Sequence, residues 1–177
     1  MGSGRFARVL VTCCALSTHL TPGTLVPLAA VLQIGFRCCG ALDYAFKAGI
    51  VHRDIKPAHI MIASGTDVKI ADFGAALLRK SQAVQTSAMG SPYYMSPEQI
   101  EGKTLTLHSD MYSLGVSLYE LLTGSRPFTG TTMDELLGKI LRDDPAPPSS
   151  IRAALPREIA RLIPHALAKK PAHRYGD

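Results

Sequence analysis

The sequence predicts a single, mainly helical α+β domain. Two stretches with apolar residues at helical spacing, residues 25–47 and 110–122, supply most of the predicted helix. Short segments rich in β-branched residues lie between them. The chain has 177 residues, of which 46% are hydrophobic and 19% charged, and this is the size and composition of one globular domain. Disordered and low-complexity classes are therefore excluded.

The first half of the chain predicts a helix followed by a hairpin. The helix over residues 25–47 is expected to end before Gly49, a residue typical of helix C-termini. Residues 50–51, 60–62 and 68–70 are predicted strands, and the polar turn at 64–67 predicts that the last two pair as a hairpin.

The second half predicts three helices separated by loops. Residues 75–95 have no clean period and are predicted to be a long loop. The apolar helix over 110–122 is expected to end at Gly124, and the next helix begins at Thr132, with acidic residues in its first turn as the helix dipole favours. A proline-rich loop over 144–150 precedes a final helix over 156–170, which Pro164 is expected to interrupt.

Charge and cysteine patterns exclude several classes of protein. The net charge is +5, but the basic residues form no run of the kind that follows a nucleic acid backbone. The four cysteines form two adjacent pairs, without the spacing of a zinc site and too sparse for a secreted disulfide scaffold. No run of about 20 apolar residues predicts a membrane span. We therefore expect a reduced, cytoplasmic protein with no nucleic acid partner.

Five short motifs follow one another in the order and at the spacing of a known enzyme family. They are HRDIKP at 52–57, DFG at 72–74, SPE at 96–98, DMYSLG at 110–115 and PAHRY at 171–175. Together they resemble the protein kinases, specifically the bacterial branch of the eukaryotic-type serine/threonine kinases. The resemblance covers residues 25–177 and implies the C-terminal lobe of a kinase, with short β-hairpins around the catalytic loop.

The resemblance implies catalytic roles for charged residues of the first two motifs. Asp54 would accept the proton of a substrate hydroxyl and orient its oxygen, and Lys56 would hold the γ-phosphate of ATP. Asp72 offers the carboxylate oxygens that Mg²⁺ prefers. Met61, with its apolar neighbours, would lie beneath the adenine ring. The implied cofactors are ATP and Mg²⁺.

The resemblance also implies residues for regulation and peptide recognition. Arg53 would receive a phosphate carried by the segment after the DFG motif, where Thr86 and Ser87 are the candidate acceptors. An unmodified, solvated loop is the alternative for these two residues. Ser91 stands where such kinases carry a threonine that touches the catalytic loop, and residues 90–98 would recognise the substrate peptide.

The remaining motif residues are expected to hold the site together. The resemblance implies an ion pair between the third and last motifs, an acid on the central helix that anchors the catalytic-loop backbone, two stacked rings, and a glycine that lets the DFG segment turn. These residues are, in that order, Glu98 with Arg174, Asp110, His52 with Phe73, and Gly74.

One position departs from the family pattern. The family has asparagine five residues after the catalytic aspartate, and this chain has His59. Imidazole nitrogen is a poor ligand for Mg²⁺ and suits transition-metal ions. We expect the loss of one contact, worth roughly 10²–10³ in rate by analogy with single-donor deletions. A new metal site at His59 is the alternative.

Residues 1–24 are left unplaced by these patterns. Gly2 and Gly4 begin a stretch similar to the glycine-rich phosphate loop of kinases, and they are candidate nucleotide contacts. The lysine and glutamate of the kinase N-terminal lobe have no counterpart in the sequence, so we expect a truncated kinase domain. Such a domain would expose apolar side chains, those of residues 60–62 among them, on the surface that normally meets the missing lobe.

Two classes of function follow. The first is a serine/threonine protein kinase that acts on protein substrates and obtains the missing lobe from elsewhere or needs none; intact Asp54, Lys56 and Asp72 favour it. The second is a non-catalytic binding module, with a partner kinase as a candidate partner, or the relic of a disrupted kinase gene. His59 and the missing lobe favour this second class.

Overall fold

Helices make up most of the fold. The computed structural model describes residues 13–20, 25–63, 67–73, 77–78 and 91–175, and within them the α+β, mainly helical class is confirmed. The helices are α1 (Leu28–Lys47), α2 (Pro97–Ile100), α3 (Leu107–Thr123), α4 (Met133–Arg142), α5 (Pro148–Ile151) and α6 (Arg157–Ala166).

Two small antiparallel sheets accompany the helices. β1 (Cys13–Ala15), β3 (Ile60–Ala63) and β4 (Asp67–Ile70) form one sheet with β3 in the middle. β2 (Ile50–Val51) pairs with β5 (Leu77–Leu78) in the other. The pairing of β3 with β4 confirms the predicted hairpin. β1 and β5 were not predicted, because β1 lies in the segment that the sequence left unplaced and β5 in the stretch without a clean period that was predicted to be a loop.

The first strand comes from the segment that the sequence left unplaced. It is followed by a 3₁₀ turn (Leu16–His19) that packs against β3, and Leu16 is fully buried. Ile60 is also fully buried, while Met61 and Ile62 are partly buried. The expectation of exposed side chains at residues 60–62 is therefore wrong, because β1 and its 3₁₀ turn pack against this strand.

Local sequence signals account for most of the differences between predicted and observed helices. α1 begins at Leu28 rather than at residue 25, because Pro27 disfavours helical backbone at the residue before it. Pro148 starts a short helix inside the predicted loop, since proline suits the first helical position. Pro164 lies inside α6 but does not end it, since the helix continues to Ala166.

α3 forms the centre of the core. Thirteen of its 17 residues are buried, and α1, α5 and α6 pack against it. Thr106 and Ser109 form a reciprocal capping box at its N-terminus, which moves the start three residues before the predicted one. At its other end the helix stops before Gly124 as predicted, and Gly124 has a φ of 74°, the left-handed conformation typical of a glycine after a helix.

Replacing Gly124 by alanine is expected to destabilise the chain by about 1–2 kcal/mol. An alanine side chain is strained at this φ, and its Cβ would lie 3.2 Å from Leu25 Cδ2. Gly40 in α1 is the matched control, because a Cβ there would meet nothing within 4 Å. Alanine at Gly40 is expected to stabilise the chain by about 0.5–1 kcal/mol. Urea unfolding measures both changes, and effects of the same sign would contradict the conformational argument.

α1 packs one face against α3 and leaves the other exposed. Val31, Ile34 and Leu42 are buried, whereas 78% of Phe36 is exposed. With α3 and α6 it encloses an apolar groove of about 390 Å³. Among the helices of the described ranges, α1 included, none is both long and apolar enough to cross a membrane.

Candidate active site

The loop between β2 and β3 is held from α3 through its backbone. Asp110 accepts hydrogen bonds from the backbone N–H of His52 at 2.8 Å and of Arg53 at 2.7 Å. Arg53 has a φ of 74°, and a non-glycine residue in this region costs about 1–3 kcal/mol. Burial raises the pKa of Asp110 to about 6, although both N–H groups favour its carboxylate form. The acid on the central helix therefore fixes a strained loop.

Three charged or titratable side chains of this loop meet one another. Lys56 Nζ lies 2.7 Å from Asp54 Oδ2, and both side chains are largely buried. His59 Nδ1 lies 2.9 Å from the Asp54 carbonyl oxygen and 3.4 Å from Asp54 Oδ2. Because a carbonyl oxygen only accepts, Nδ1 of His59 is the nitrogen that carries a proton.

Asp72 joins this group from the DFG motif. Its Oδ2 lies 3.3 Å from Nε2 of His59, and its side chain is 61% exposed. Its φ of 60° makes it, with Arg53, one of two described non-glycine residues with left-handed backbone. The structure thus brings Asp54, Lys56, His59 and Asp72 into one cluster, which we call the carboxylate cluster.

His52 connects the loop to the DFG motif through a hydrogen bond and a ring contact. It is fully buried, and its Nε2 lies 3.0 Å from the carbonyl oxygen of Ala71. Burial lowers the pKa of His52. Its Nδ1 accepts from the backbone N–H of Asp54 at 3.3 Å, so Nε2 is the nitrogen that donates to the Ala71 carbonyl. The ring centroids of His52 and Phe73 are 4.6 Å apart. These contacts fix the positions of Ala71 and Phe73, the residues on either side of Asp72.

Glu98 and Arg174 form a buried, two-pronged ion pair. The guanidinium nitrogens lie 2.7 and 2.9 Å from the two carboxylate oxygens. Arg174 also donates to the carbonyl oxygens of His108, Ala168 and Lys169. Burial raises the pKa of Glu98, but hydrogen bonds and charge from Arg174 outweigh it and leave the pKa below its ordinary value.

This ion pair predicts a pH dependence of stability. The stabilisation by the Glu98 carboxylate is present above the ordinary glutamate pKa of 4.5 and is lost as pH falls through the lower folded pKa. The difference in unfolding free energy between wild type and Glu98→Gln is therefore expected to shrink between pH 7 and pH 3. Urea unfolding across this range measures it. Glu101→Gln, at an exposed pair, is the control with a change within about 0.5 kcal/mol; a difference constant with pH at Glu98 would refute the prediction.

Comparison with known proteins identifies the family of this fold and site. Residues 5–176 match the model of the protein kinase domain. The chain belongs to the protein kinase family. It is 42% identical over 159 residues to the serine/threonine-protein kinase PknB of Mycolicibacterium smegmatis, and 41% identical to that of Mycobacterium tuberculosis. A probable serine/threonine-protein kinase of Clostridium perfringens is 38% identical over 152 residues.

These relatives confirm the serine/threonine branch and the bacterial affinity that the motifs predicted. The alignments cover 88% of this chain for the two mycobacterial proteins and 85% for the clostridial one. They cover 25% and 22% of the relatives, so the chain spans about a quarter of the length of the curated kinases it matches.

In this kinase chain, the segment implied in peptide recognition is tied to the catalytic loop. Ser91 precedes a 3₁₀ turn (Pro92–Tyr94) and is partly buried. Gln99, in α2, donates from Nε2 to the carbonyl oxygen of Arg53 at 3.0 Å. Sequence reasoning missed Gln99, because a glutamine on a short helix gives no signal of what it contacts.

A second tie to the central helix was also missed. Tyr94 donates to Oε2 of Glu120 in α3, and Arg126 Nε lies 3.1 Å from Oε1 of the same carboxylate. The Arg126 guanidinium stands 4.1 Å above the ring of Tyr93. An acid inside an otherwise apolar helix was the available signal, since a buried carboxylate requires partners.

The other predicted nucleotide and regulatory residues divide into two groups. Met61 lies in the middle strand of the three-stranded sheet, paired with Ala15 and Lys69. Four of them lie outside the described residues, namely Gly2, Gly4, Thr86 and Ser87. The same is true of Gly74, predicted to let the DFG segment turn, and of residues 64–66 of the turn predicted at 64–67.

In the carboxylate cluster the oxygen donor of Asp72 fits Mg²⁺, whereas the nitrogen donor of His59 does not. The exposed carboxylate of Asp72 offers the hard oxygen that Mg²⁺ prefers. His59 offers a nitrogen where the family has an amide oxygen, and nitrogen is a poor partner for Mg²⁺. Within the described ranges no group of three or more His, Cys, Asp or Glu is arranged to hold a metal ion alone.

Proposed function

We propose that this chain is the catalytic-loop lobe of a serine/threonine protein kinase that transfers the γ-phosphate of ATP to serine and threonine hydroxyls of proteins. The observation that carries the proposal is the ion pair of Asp54 and Lys56 at 2.7 Å, which His59 links to the exposed carboxylate of Asp72. The carboxylate can accept the proton of the substrate hydroxyl, and the ammonium beside it can neutralise negative charge on the phosphoryl group.

Asp54 acts on the substrate hydroxyl. Lys56 holds its Oδ2, so Oδ1 is the oxygen proposed to accept the hydrogen bond of the hydroxyl and to receive its proton as the new O–P bond forms and the bond from the γ-phosphorus to ADP breaks. The ammonium of Lys56 also neutralises negative charge on the group being transferred. When bound, Mg²⁺ and ATP supply the phosphoryl group and neutralise its oxygens, and Asp72 is the residue that would hold the ion.

The segment from Ser91 to Glu98 is proposed to hold the substrate peptide. Its ties to Arg53 through Gln99 and to α3 through Tyr94 place it beside the catalytic loop. Arg53 is the proposed receiver of a regulatory phosphate, because its backbone is fixed by Asp110.

Radiolabelled phosphotransfer tests this function. The full chain is incubated with γ-labelled ATP, Mg²⁺ or Mn²⁺, and a general protein acceptor, and the labelled amino acids are separated after hydrolysis. We expect label on phosphoserine and phosphothreonine, lost in Asp72→Asn. A folded chain that binds nucleotide but transfers no phosphate would overturn the proposal.

A second candidate function is that of a catalytically silent kinase-fold protein. His59 at the position of the family asparagine is the observation that favours it. The same assay, with a thermal melt beside it, separates the active kinase from the silent member. A silent member would unfold cooperatively in the melt and would still leave the acceptor unlabelled with every divalent ion.

A further inference from the structure

His59 is oriented in the way that a metal-ligating histidine is. Its Nδ1–H donates to the carbonyl oxygen of Asp54 at 2.9 Å, so Nε2 faces Oδ2 of Asp72 at 3.3 Å. Histidines that bind metals almost always donate their other N–H to a backbone carbonyl or a carboxylate, which fixes the tautomer and the ring orientation. The partner needed for that arrangement is already in place.

The backbone around both side chains is fixed as well. The N–H of His59 donates to the carbonyl oxygen of Lys56 at 2.9 Å, and the carbonyl oxygen of His59 accepts from the N–H of Ala71 at 2.8 Å. The His59 side chain is only 13% exposed. Holding two ligands in place before an ion arrives lowers the entropy that binding must overcome.

The spacing of the two ligand atoms fits a transition-metal ion. Bonds of about 2.0–2.2 Å from one ion to a histidine nitrogen and a carboxylate oxygen 3.3 Å apart enclose an angle of roughly 100–110°. That angle is close to tetrahedral and accessible to a distorted octahedron. Nitrogen ligands favour first-row transition ions, whereas Mg²⁺ demands oxygen ligands in near-ideal octahedral geometry.

We propose that His59 and Asp72 form a mixed nitrogen–oxygen site for a divalent first-row transition ion, which binds at this edge of the carboxylate cluster in preference to Mg²⁺. Water or phosphate oxygens of a nucleotide complete the coordination. This inference rests on the proposed function, because it names the metal ion that the same site would hold. Binding of that ion does not itself require phosphate transfer.

Titration with Co²⁺ tests the site, because its visible d–d bands report both binding and ligand geometry. The full chain is compared with His59→Asn and with the matched control His173→Asn, an exposed histidine outside the cluster, with and without ADP. We expect the dissociation constant for Co²⁺ to rise at least tenfold in His59→Asn and to stay unchanged in His173→Asn. We also expect Mg²⁺ to displace Co²⁺ more readily from His59→Asn than from wild type.

Proton NMR of the Co²⁺ form identifies the ligand directly. A bound imidazole gives a strongly shifted N–H resonance that disappears in D₂O. We expect one such resonance, from Nδ1–H of His59 hydrogen-bonded to Asp54, present in His173→Asn and missing in His59→Asn. Its absence from the wild-type chain would overturn the site, whatever the folding of the variants.

The two proposals fail separately. Equal Co²⁺ affinity in wild type and His59→Asn, with phosphate transfer in Mg²⁺, overturns the metal site and leaves the kinase activity standing. A Co²⁺ site that depends on His59 in a chain that transfers no phosphate supports the metal site and overturns the activity.

Discussion

Asp54→Asn is expected to lower kcat for phosphate transfer by roughly 10²–10⁴-fold, the usual contribution of a positioned general base. Asparagine has the same shape and keeps an oxygen for Lys56 Nζ, now 2.7 Å from the carboxylate, but it cannot receive the hydroxyl proton. Because Asp54 is proposed to act on the hydroxyl rather than on the nucleotide, KM for ATP should change little. Initial rates at varied ATP and acceptor concentrations separate the two constants.

The control for this variant is Asp43→Asn. Asp43 lies on α1 in an exposed ion pair with Lys47, so the same chemical change there is expected to leave kcat within about twofold. A kcat for Asp54→Asn equal to that of the wild type would remove Asp54 from the mechanism. A rise in KM for ATP with kcat unchanged would assign it to nucleotide binding instead.

Arg174→Ala is expected to destabilise the chain by about 3–5 kcal/mol, because it leaves the Glu98 carboxylate buried without its partner. The Arg174 side chain is 0% exposed and that of Glu98 is 4% exposed, so bulk water does not solvate the carboxylate in the folded chain. Three backbone carbonyls lose a donor in the same step. The loss is a large fraction of the 5–15 kcal/mol that is typical of a domain. Urea unfolding at pH 7 measures it.

Two comparisons make this prediction specific. Arg157→Ala removes an exposed arginine at the start of α6 and is expected to change stability by no more than about 0.5 kcal/mol. The double variant Arg174→Ala with Glu98→Gln should be less destabilised than the sum of the single variants, because no charge is then left unpaired. Additive effects, or a loss below about 1 kcal/mol for Arg174→Ala, would show that the pair is not a main support of the fold.

Features that depend on neighbouring residues were predictable from the sequence. The helix end at Gly124 and the helix start at Thr132 were predicted, because capping side chains and left-handed glycines act within a few residues. The β3–β4 hairpin was predicted for the same reason. β1 was not, since its three residues become a strand only by pairing with β3, nearly fifty positions later in the chain.

Side-chain partners at long range were less accessible. The juxtaposition of Glu98 with Arg174 was expected only through the family resemblance. Gln99 and Arg126 have no motif, so their contacts with the catalytic loop and with α3 emerged from tertiary packing alone. The sequence singled out His59 as a departure, but which ring nitrogen faces Asp72 depends on the hydrogen bond to the Asp54 carbonyl, which no residue pattern encodes.

The anchoring of the catalytic loop by Asp110 has a consequence for the nascent chain during its synthesis on the ribosome. The backbone N–H groups of His52 and Arg53 donate to the Asp110 carboxylate, which is 58 and 57 residues further along the chain, respectively. At a synthesis rate of about 5–20 residues per second, Asp110 is added roughly 3–11 s after Arg53. Until then Asp54, the proposed general base, lacks the backbone geometry of the folded loop. Under the proposed function, we therefore expect the loop to become competent only after the central helix has been translated.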